Sequence, residues 1–365
     1  MNRRQIMLAG GAAILAGGGV ATYAATRTGS LDAYAAQMAE LRRPIAADGD
    51  DLELIRLATL AANGHNTQPW RFRPGGGAIA IEPDFSRRTP VVDPDDHHLF
   101  ASLGCAAENL ALAAAAQGRG GALDFEADGE GRVVFQAGQA ADAPADLVAA
   151  IPHRQSTRAE YDGRPVAASD LRALADAARI DGVDLVLITD HPSLSRVRDL
   201  IVAGNTVQMA DPAFVRELKD WLRFSPRQAL ARGDGLFTAA SGNPVAPPWL
   251  GRTMFDLFFK AEAENEKYAR QMASSAGVAV FLAERDDPEH WVRAGRACQR
   301  FALKATALGL KHAFVNQPVE VAGLRPDLAA LAGLPGRRPD IVMRFGYGDA
   351  LPWSPRRSVE SVLAG

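Results

Sequence analysis

Two alanine-rich stretches, separated by 191 residues, place the strongest constraint on how this chain can fold. The stretch from Gly104 to Gly118 aligns with the stretch from Gly295 to Gly309. Identical residues occur at Gly104/Gly295, Ala106/Ala297, Ala111/Ala302, Leu112/Leu303, Ala114/Ala305, Ala116/Ala307 and Gly118/Gly309. Both stretches end at glycine, as helices often do, and the first is apolar over much of its surface. They favour two equivalent core helices and an internal duplication, although alanine-rich helices also match by chance.

The remaining hydrophobic patterns predict an α+β fold. Helical spacing of apolar residues occurs at 31–41, 51–61, 169–178, 193–208, 212–224, 261–272 and 291–308. Strand patterns occur at 78–82, 123–126, 132–135, 183–189, 278–283 and 341–345. A small-residue linker at 137–145 divides the chain into a first half, 30–145, and a second half, 146–365. Residues 225–252 are rich in proline and glycine and show no helical periodicity, so we interpret them as a lid over a pocket.

The charge and cysteine content exclude several classes of protein. The 365 residues carry a formal net charge of −3 and the sequence pI is about 6.2, which gives no electrostatic reason to expect nucleic acid as a partner. Cys105 and Cys298 are the two cysteines, so a disulfide framework and a cysteine-based zinc module are excluded. These two residues either pair with each other or remain buried thiols.

The first 29 residues resemble an export signal. Arg3 and Arg4 precede a weakly apolar, glycine- and alanine-rich run at 6–20, as in twin-arginine signals, which carry folded proteins across a membrane. The sequence therefore predicts a periplasmic or membrane-anchored protein that contacts the membrane only through this segment. An ordinary N-terminal anchor or a tail is the alternative.

Four short motifs indicate where a ligand binds. They are Arg154-Gln155-Ser156-Thr157-Arg158, Asn63-Gly64-His65-Asn66-Thr67-Gln68-Pro69-Trp70, Pro318-Val319-Glu320 and Arg356-Arg357. Planar guanidinium groups beside a hydroxyl group match the paired oxygens of a phosphate. Each motif is weak by itself, and the first one could equally be a solvated basic turn.

Together these motifs resemble the nitroreductase superfamily, and within it the two-domain Acg type. The resemblance spans about residues 50–362. It implies a bound FMN and an internally duplicated chain that imitates the family homodimer as a monomer. Because the Gln-Pro-Trp turn lies in the first half and the Arg-x-Ser-x-Arg motif in the second, one complete flavin site is expected.

The resemblance also assigns roles to individual residues. Arg154 and Ser156 would contact the phosphate and ribityl region, with Arg356 and Arg357 completing the phosphate clamp. Arg158 would face the pyrimidine edge of the flavin ring and stabilise the anionic reduced form. The other implied flavin contacts come from Asn63, Gly64, Asn66, Pro318 and Glu320.

The function that follows is an FMN-dependent oxidoreductase in which flavin N5 carries two electrons to a nitroaromatic or quinone-like molecule. No side chain is required as a general acid, although His65 is a candidate proton donor. Because the lid would cover the face where a nicotinamide stacks, reduction by NAD(P)H is in doubt. A flavin-sequestering protein, and a scaffold that binds no flavin, are the alternatives.

A metal site is the remaining candidate. A cluster of acidic and histidine side chains could hold a metal ion, but we favour a turn that caps the following helix. The cluster consists of Asp93, Asp95, Asp96, His97 and His98.

Overall fold

The computed structural model describes residues 28–46, 49–139 and 143–365. The predicted signal, apart from its last two residues, therefore lies outside the described residues. The first half contains α1 (Leu31–Leu41), α2 (Asp51–Thr59), β1 (Trp70–Gly75), β2 (Ala78–Pro83), α3 (His97–Ala116), β3 (Gly121–Glu126) and β4 (Arg132–Ala137). Helix α4 (Ala145–Ala150) begins at the boundary and lies almost wholly in the second half. Next come α5 (Ala168–Ala177), β5 (Val183–Ile188), α6 (His191–Ala210), α7 (Pro212–Trp221), β6 (Leu222–Arg223), α8 (Pro226–Arg232), β7 (Leu236–Phe237), α9 (Pro248–Phe258) and α10 (Ala261–Ala273). The chain ends with β8 (Gly277–Ala283), α11 (Pro288–Ala307), β9 (Lys311–Phe314), α12 (Gln317–Glu320), α13 (Arg325–Leu331), β10 (Ile341–Gly346) and α14 (Val359–Val362).

Each half contributes one four-stranded antiparallel sheet. The first sheet has the strand order β1-β2-β4-β3, and the second has the order β5-β8-β10-β9. The predicted hairpin at 123–135 is present as β3 and β4. Antiparallel sheets with helices packed on their faces define an α+β fold, which confirms the predicted class.

The two alanine-rich stretches form α3 and α11, which pack against each other at the centre. Gly104 lies against the backbone of Val292, and Gly295 lies against the backbone of Ala101. A Cβ atom at either glycine would overlap the facing carbonyl oxygen, so only glycine permits this crossing. The two contacts exchange under the 191-residue offset, which is the reciprocity of a two-fold interface. Helix α3 is also long and apolar enough to cross a membrane, but it is largely buried inside the protein.

The second sheet is covered on both faces, and strand β8 is buried along its whole length. Ala279 and Phe281 face the cluster that includes α11, whereas Val278, Val280 and Leu282 face the cluster that includes α6. Alternation of side chains along the strand separates these two apolar layers. The second sheet therefore forms a layer between helices and fixes the position of β9 and of the loop that follows it.

The C-terminal segment returns to the first half. Leu363 forms a parallel bridge with Phe72, and the backbone N–H of Ala364 donates to the carbonyl of Phe72 at 2.8 Å. This return places Arg356 beside the end of α2. The first half is therefore completed by residues from the end of the chain.

The lid was predicted without helices, and this prediction is wrong. Residues 225–258, which we call the lid segment, contain α8, a 3-10 turn at Thr238–Ser241 and α9. Pro226 and Pro248 occupy first-turn positions, where the missing N–H costs nothing and the fixed φ favours helix initiation. Ser225 caps α8 by accepting the N–H of Gln228 at 3.1 Å. Frequent proline here starts short helices instead of excluding them.

Candidate functional site

A cavity of about 610 Å³ lies under the lid segment and is lined by residues of both halves. Among the residues predicted from the motifs, Asn63, Gly64, Arg158 and Glu320 line it. Its apolar wall includes Phe214, Leu218, Leu222, Phe224, Leu250, Met254, Phe255 and Phe258. A cavity of this size, apolar with a few converging polar groups, is typical of a site for a small molecule or cofactor.

The turn at 63–69 has a constrained conformation, and its residues Asn63, Gly64 and His65 line the cavity. His65, Asn66 and Gln68 have φ values of 47°, 54° and 53°, in the left-handed region that non-glycine residues seldom adopt. The Asn63 Oδ1 atom accepts the N–H of Gln68 at 2.9 Å, and the amide of Gln68 donates to the carbonyl of Gly233 at 2.8 Å. Strain of this kind persists only where the surroundings fix it, which is common at functional sites.

Asn66 connects three parts of the chain and does not line the cavity. Its amide donates to the carbonyls of Gly235 and Pro355, both at 3.0 Å, and its Oδ1 atom accepts from Arg356 at 2.8 Å. The lid segment and the C-terminal segment are thereby attached to the turn. The side chain of Asn66 positions these elements in the described structure.

Arg158 lies at the cavity with His65 nearby. Burial lowers the pKa of Arg158, and the phenol groups of Tyr268 and Tyr161 oppose that effect. Burial, together with the Arg158 cation, lowers the pKa of His65 to about 4. His65 is therefore neutral at physiological pH, and the Arg158 guanidinium is a fixed positive charge beside it.

Glu320 and His98 also line the cavity. Burial raises the pKa of Glu320, whose carboxylate accepts a hydrogen bond from the Gln208 amide at 2.6 Å. Burial also lowers the pKa of His98. The Nε2 atom of His98 lies 3.3 Å from the carbonyl oxygen of Asp340.

The candidate metal ligands are used by the protein itself. Asp93, His97 and His98 have ligand atoms within 4.8 Å of one another. However, the Asp93 carboxylate accepts the N–H groups of His98 and Leu99, both at 3.0 Å, and so caps α3. The Nε2 atom of His97 lies 2.9 Å from the Asp340 carboxylate. The hydrogen bonds of Asp93 are those expected for a turn that caps the following helix.

A second group of polar residues, which we call the cationic cluster, consists of Arg42, Arg154 and Arg356. Their exposed fractions are 5%, 2% and 7%. Among the residues that the structure describes, no carboxylate forms an ion pair with any of the three. Burial lowers the pKa of Arg154 to about 10 and that of Arg356 to about 9. Burial, followed by repulsion from Arg356 and Arg154, lowers the pKa of Arg42. Three buried cations without a counter-ion favour an anionic ligand.

The cluster is held by the carboxyl end of α2. Arg154 Nη2 donates to the carbonyl of Leu60 at 3.0 Å, and Arg356 Nη2 donates to the same oxygen at 3.2 Å. The negative end of a helix dipole favours such cations. Residues Ala62 and Asn63, which line the cavity, follow directly. The cluster therefore lies next to the cavity.

Several nitrogens in this region lack partners. Arg154 Nε and Nη1 and Arg42 Nε are buried without a hydrogen bond to any described residue. The same holds for both ring nitrogens of His312, whose pKa is lowered by burial and by the cation of Arg154. Buried donors are nearly always satisfied in folded proteins, so these unpaired nitrogens favour contacts with an oxygen-rich ligand.

The structure thus separates the predicted residues into those that line the cavity and those that lie at or near the cationic cluster. Arg154 and Arg356 belong to the cationic cluster, and Ser156 pairs with His312 through a parallel bridge. Arg357 points away from the cluster, because its guanidinium donates to the carbonyl of Gln68 at 3.3 Å and to the carbonyl of Ser361. Pro318 is buried in α12 and shapes the turn that carries Glu320.

Arg42 and His312 were not found from the sequence. Arg42 immediately follows the last residue of α1, where a basic residue usually caps a helix. Its Nη1 atom instead donates to the carbonyls of Pro152 and Arg154, at 2.9 and 3.1 Å. His312 lies inside strand β9, and nothing in its neighbours distinguishes it from a core residue. The basic pair Arg42-Arg43 was the one sequence feature that could have pointed to Arg42.

The structure defines the class of protein: an α+β protein whose two halves meet at a cavity beside a buried cationic cluster. The family follows from the sequence model of the nitroreductase family, which matches residues 151–348. Since this match covers more than half of the chain, the protein belongs to the nitroreductase family, and the resemblance inferred from the motifs is confirmed.

Two relatives come from Mycobacterium tuberculosis, and both carry the provisional name NAD(P)H nitroreductase. Rv3131 is 29% identical over 329 residues, which cover 86% of this chain and 92% of the relative. Acg is 24% identical over 331 residues, which cover 85% of this chain and 93% of the relative.

Two solved structures also match. The FMN-dependent nitroreductase NfnB from Mycobacterium smegmatis, in complex with NADPH, gives a TM-score of 0.41 at 14% identity and covers 60% of this chain and 98% of its own. A nitroreductase with bound FMN from Desulfitobacterium hafniense gives a TM-score of 0.35 at 13% identity and covers 58% of this chain and 93% of its own.

Proposed function

We propose that the protein is an FMN-dependent oxidoreductase that transfers two electrons to a small electron-poor molecule of the nitroaromatic or quinone class. Family membership supports the class of enzyme. The observation that carries the proposal is the cationic cluster with its unpartnered nitrogens beside a cavity that Arg158 lines. A phosphate at one end and a planar ring at the other match these two features.

The residues present fit a bound FMN. Its phosphate carries close to two negative charges, which the cationic cluster would neutralise. Arg154 Nε and Nη1 would donate to phosphate oxygens, and Arg42 would add a third cation. His312 would satisfy one ring nitrogen with the ribityl chain or the phosphate. Arg356 has protein acceptors for all three nitrogens and would act mainly through its charge.

The chain's own residues would position the ring and set its electrostatic environment. When bound, FMN supplies hydride chemistry at N5. The Arg158 cation would lie beside the ring and favour its anionic reduced form, because positive charge stabilises added electrons. The backbone of Asn63 and Gly64, which line the cavity, together with the turn at Glu320, would hold the polar edge. The apolar lid wall would exclude water from the ring.

The alternative function is flavin sequestration with little turnover, and the lid segment supports it. Its side chains occupy one wall of the cavity, where a nicotinamide would otherwise stack on the ring. Anaerobic titration with NADPH and NADH separates the two functions. Bleaching of the flavin absorbance, restored by a nitroaromatic, is expected for the oxidoreductase. Bleaching by dithionite alone would overturn it and support sequestration.

We further propose a monomeric, internally duplicated enzyme that is exported through its twin-arginine segment. The reciprocal contacts of Gly104 and Gly295 support the duplication. Light scattering of the purified protein tests the monomer, and a dimeric mass would contradict it. Fractionation of cells that express the wild type and an Arg3→Lys/Arg4→Lys variant tests export.

A further inference from the structure

Helix α9 of the lid segment has an apolar face that the protein does not cover. Eight large apolar side chains are exposed among the described residues, and four of them lie on this eleven-residue helix. Trp249, Met254, Leu257 and Phe258 are exposed by 61%, 46%, 59% and 64%. We call these four residues the apolar lid face. A soluble surface rarely concentrates apolar side chains on one element without a binding partner.

The apolar lid face is continuous with the cavity. Leu250 and Phe255, both partly buried, are residues of α9 that line the cavity. Met254 and Phe258 line the cavity as well, although each is about half or more exposed. Apolar surface therefore runs from the cavity wall to the outside of the protein along one helix. A molecule that leaves an apolar phase at this helix would meet apolar side chains of α9 on its way into the cavity.

The charges at α9 and the course of the chain indicate what covers this face. Arg252 and Lys260, both exposed, lie within and just beyond the helix, and its acidic residue, Asp256, pairs with Lys219 of α7 at 2.6 Å. Basic residues at such positions are typical of helices that bind anionic lipid surfaces. The described chain begins beside the lid, because Gly29 packs against Arg227 of α8. The apolar run at 6–20, with Arg3 and Arg4 before it, precedes this point.

We propose that the apolar lid face inserts into the interfacial layer of a lipid bilayer with anionic headgroups. Trp249 and Phe258 lie near the two ends of α9 and about 180° apart around its axis, with Leu257 and Met254 between them. The helix would therefore lie flat along the surface, with Leu257 and Met254 inserted and the two aromatic rings at the edges. Tryptophan favours this layer because its ring is apolar and its N–H remains hydrated. The mouth of the cavity then faces the membrane. Docking of this kind does not depend on a bound flavin.

The test uses the full-length chain and vesicles of phosphatidylcholine and phosphatidylglycerol, with and without bromine on the acyl chains. Trp249 is the most exposed tryptophan, since Trp70 and Trp291 are buried and Trp221 and Trp353 are partly buried. Brominated lipid is expected to quench part of the emission of the wild type, and that part disappears in Trp249→Phe. Vesicle attachment through the N-terminal segment alone would leave Trp249 unquenched. Quenching therefore distinguishes insertion of the apolar lid face from attachment by that segment.

Two variants complete the design. Leu257→Ser/Phe258→Ser is expected to lose most of the quenching of Trp249 while its far-UV spectrum is retained. Leu52→Ser removes an apolar side chain that is exposed by 43% on α2, and it should quench like the wild type. Vesicle-bound wild type without quenching of Trp249 would overturn the proposal. A blue shift of Trp249 emission with protein concentration, in the absence of lipid, would overturn it in favour of a second copy of the chain.

Discussion

Replacement of Arg154 by methionine separates what this residue does for the fold from what it does for a ligand. Arg154 makes one hydrogen bond, from Nη2 to the carbonyl of Leu60, and leaves Nε and Nη1 without partners. Methionine has a similar length and no charge, so it fills the same space. The Leu60 carbonyl keeps a donor, because Arg356 Nη2 lies 3.2 Å away.

The two expected effects have opposite signs. In the flavin-free protein, a buried N–H group without a partner costs about 1–3 kcal/mol, so Arg154→Met should raise the free energy of unfolding by roughly that amount. In the flavin-bound protein, two charge-assisted hydrogen bonds to phosphate contribute about 1.5–3 kcal/mol each. Their loss should weaken FMN binding by about 10²–10⁴-fold.

Both effects are measurable on the same preparations. Urea denaturation of apoprotein gives the free energy of unfolding, and titration with FMN, followed by flavin fluorescence, gives the affinity. Arg172→Met, which removes an exposed arginine of α5, is the matched control and should change neither quantity. Wild-type affinity in Arg154→Met, or apoprotein that unfolds at lower urea, would show that Arg154 is not held for an anion.

Three other perturbations test the remaining contacts. Gly104→Ala should lower the free energy of unfolding by about 1–3 kcal/mol in urea, whereas Gly323→Ala, with open space around it, should not. Asp340→Asn tests a buried pair. Burial raises the pKa of Asp340 to about 7 and lowers that of His97 to about 4, so in the wild type the Asp340 contribution to stability falls with rising pH while the His97 contribution rises. Of this pair, only His97 titrates in the variant. The urea midpoint of unfolding should therefore rise between pH 4 and 6.5 more steeply than in the wild type. Arg158→Ala should retain flavin but lower its reduction potential in a dye-coupled redox titration, and an unchanged potential would remove the proposed role.

The sequence predicted the parts of the fold that repeat or alternate regularly. The alanine-rich stretches specified α3 and α11, and the hairpin of β3 and β4 followed from alternation. The lid segment was misjudged because the stretch was interpreted from its proline and glycine content, although Pro226 and Pro248, each in a first turn, favour a helix. The amino-acid composition of a long segment does not show where in a helix each proline lies.

The candidate site was predictable only where a motif names its residues. Arg154 and Arg158 were identified because their spacing is a family signature. Arg42 and His312 carry no such signature, and they reach the site through tertiary packing: Arg42 by way of the Pro152 carbonyl, and His312 because β9 runs beside the Ser156 segment. Contacts between residues more than a hundred positions apart cannot be inferred from local pattern.

Arg154 and Arg356 look equivalent as basic residues of two motifs, but their surroundings give them different tasks. Arg356 donates to the carbonyls of Thr59, Leu60 and Ala61 and to Asn66 Oδ1, at 2.6 to 3.2 Å, so its three nitrogens are all used. It fastens the C-terminal segment to the end of α2, and with it the bridge between Leu363 and Phe72. Arg154 holds one carbonyl and keeps two donors unused. The hydrogen bonds of Arg356 therefore stabilise the junction of the two halves, and the unused donors of Arg154 are the groups that would bind the phosphate in the proposed function.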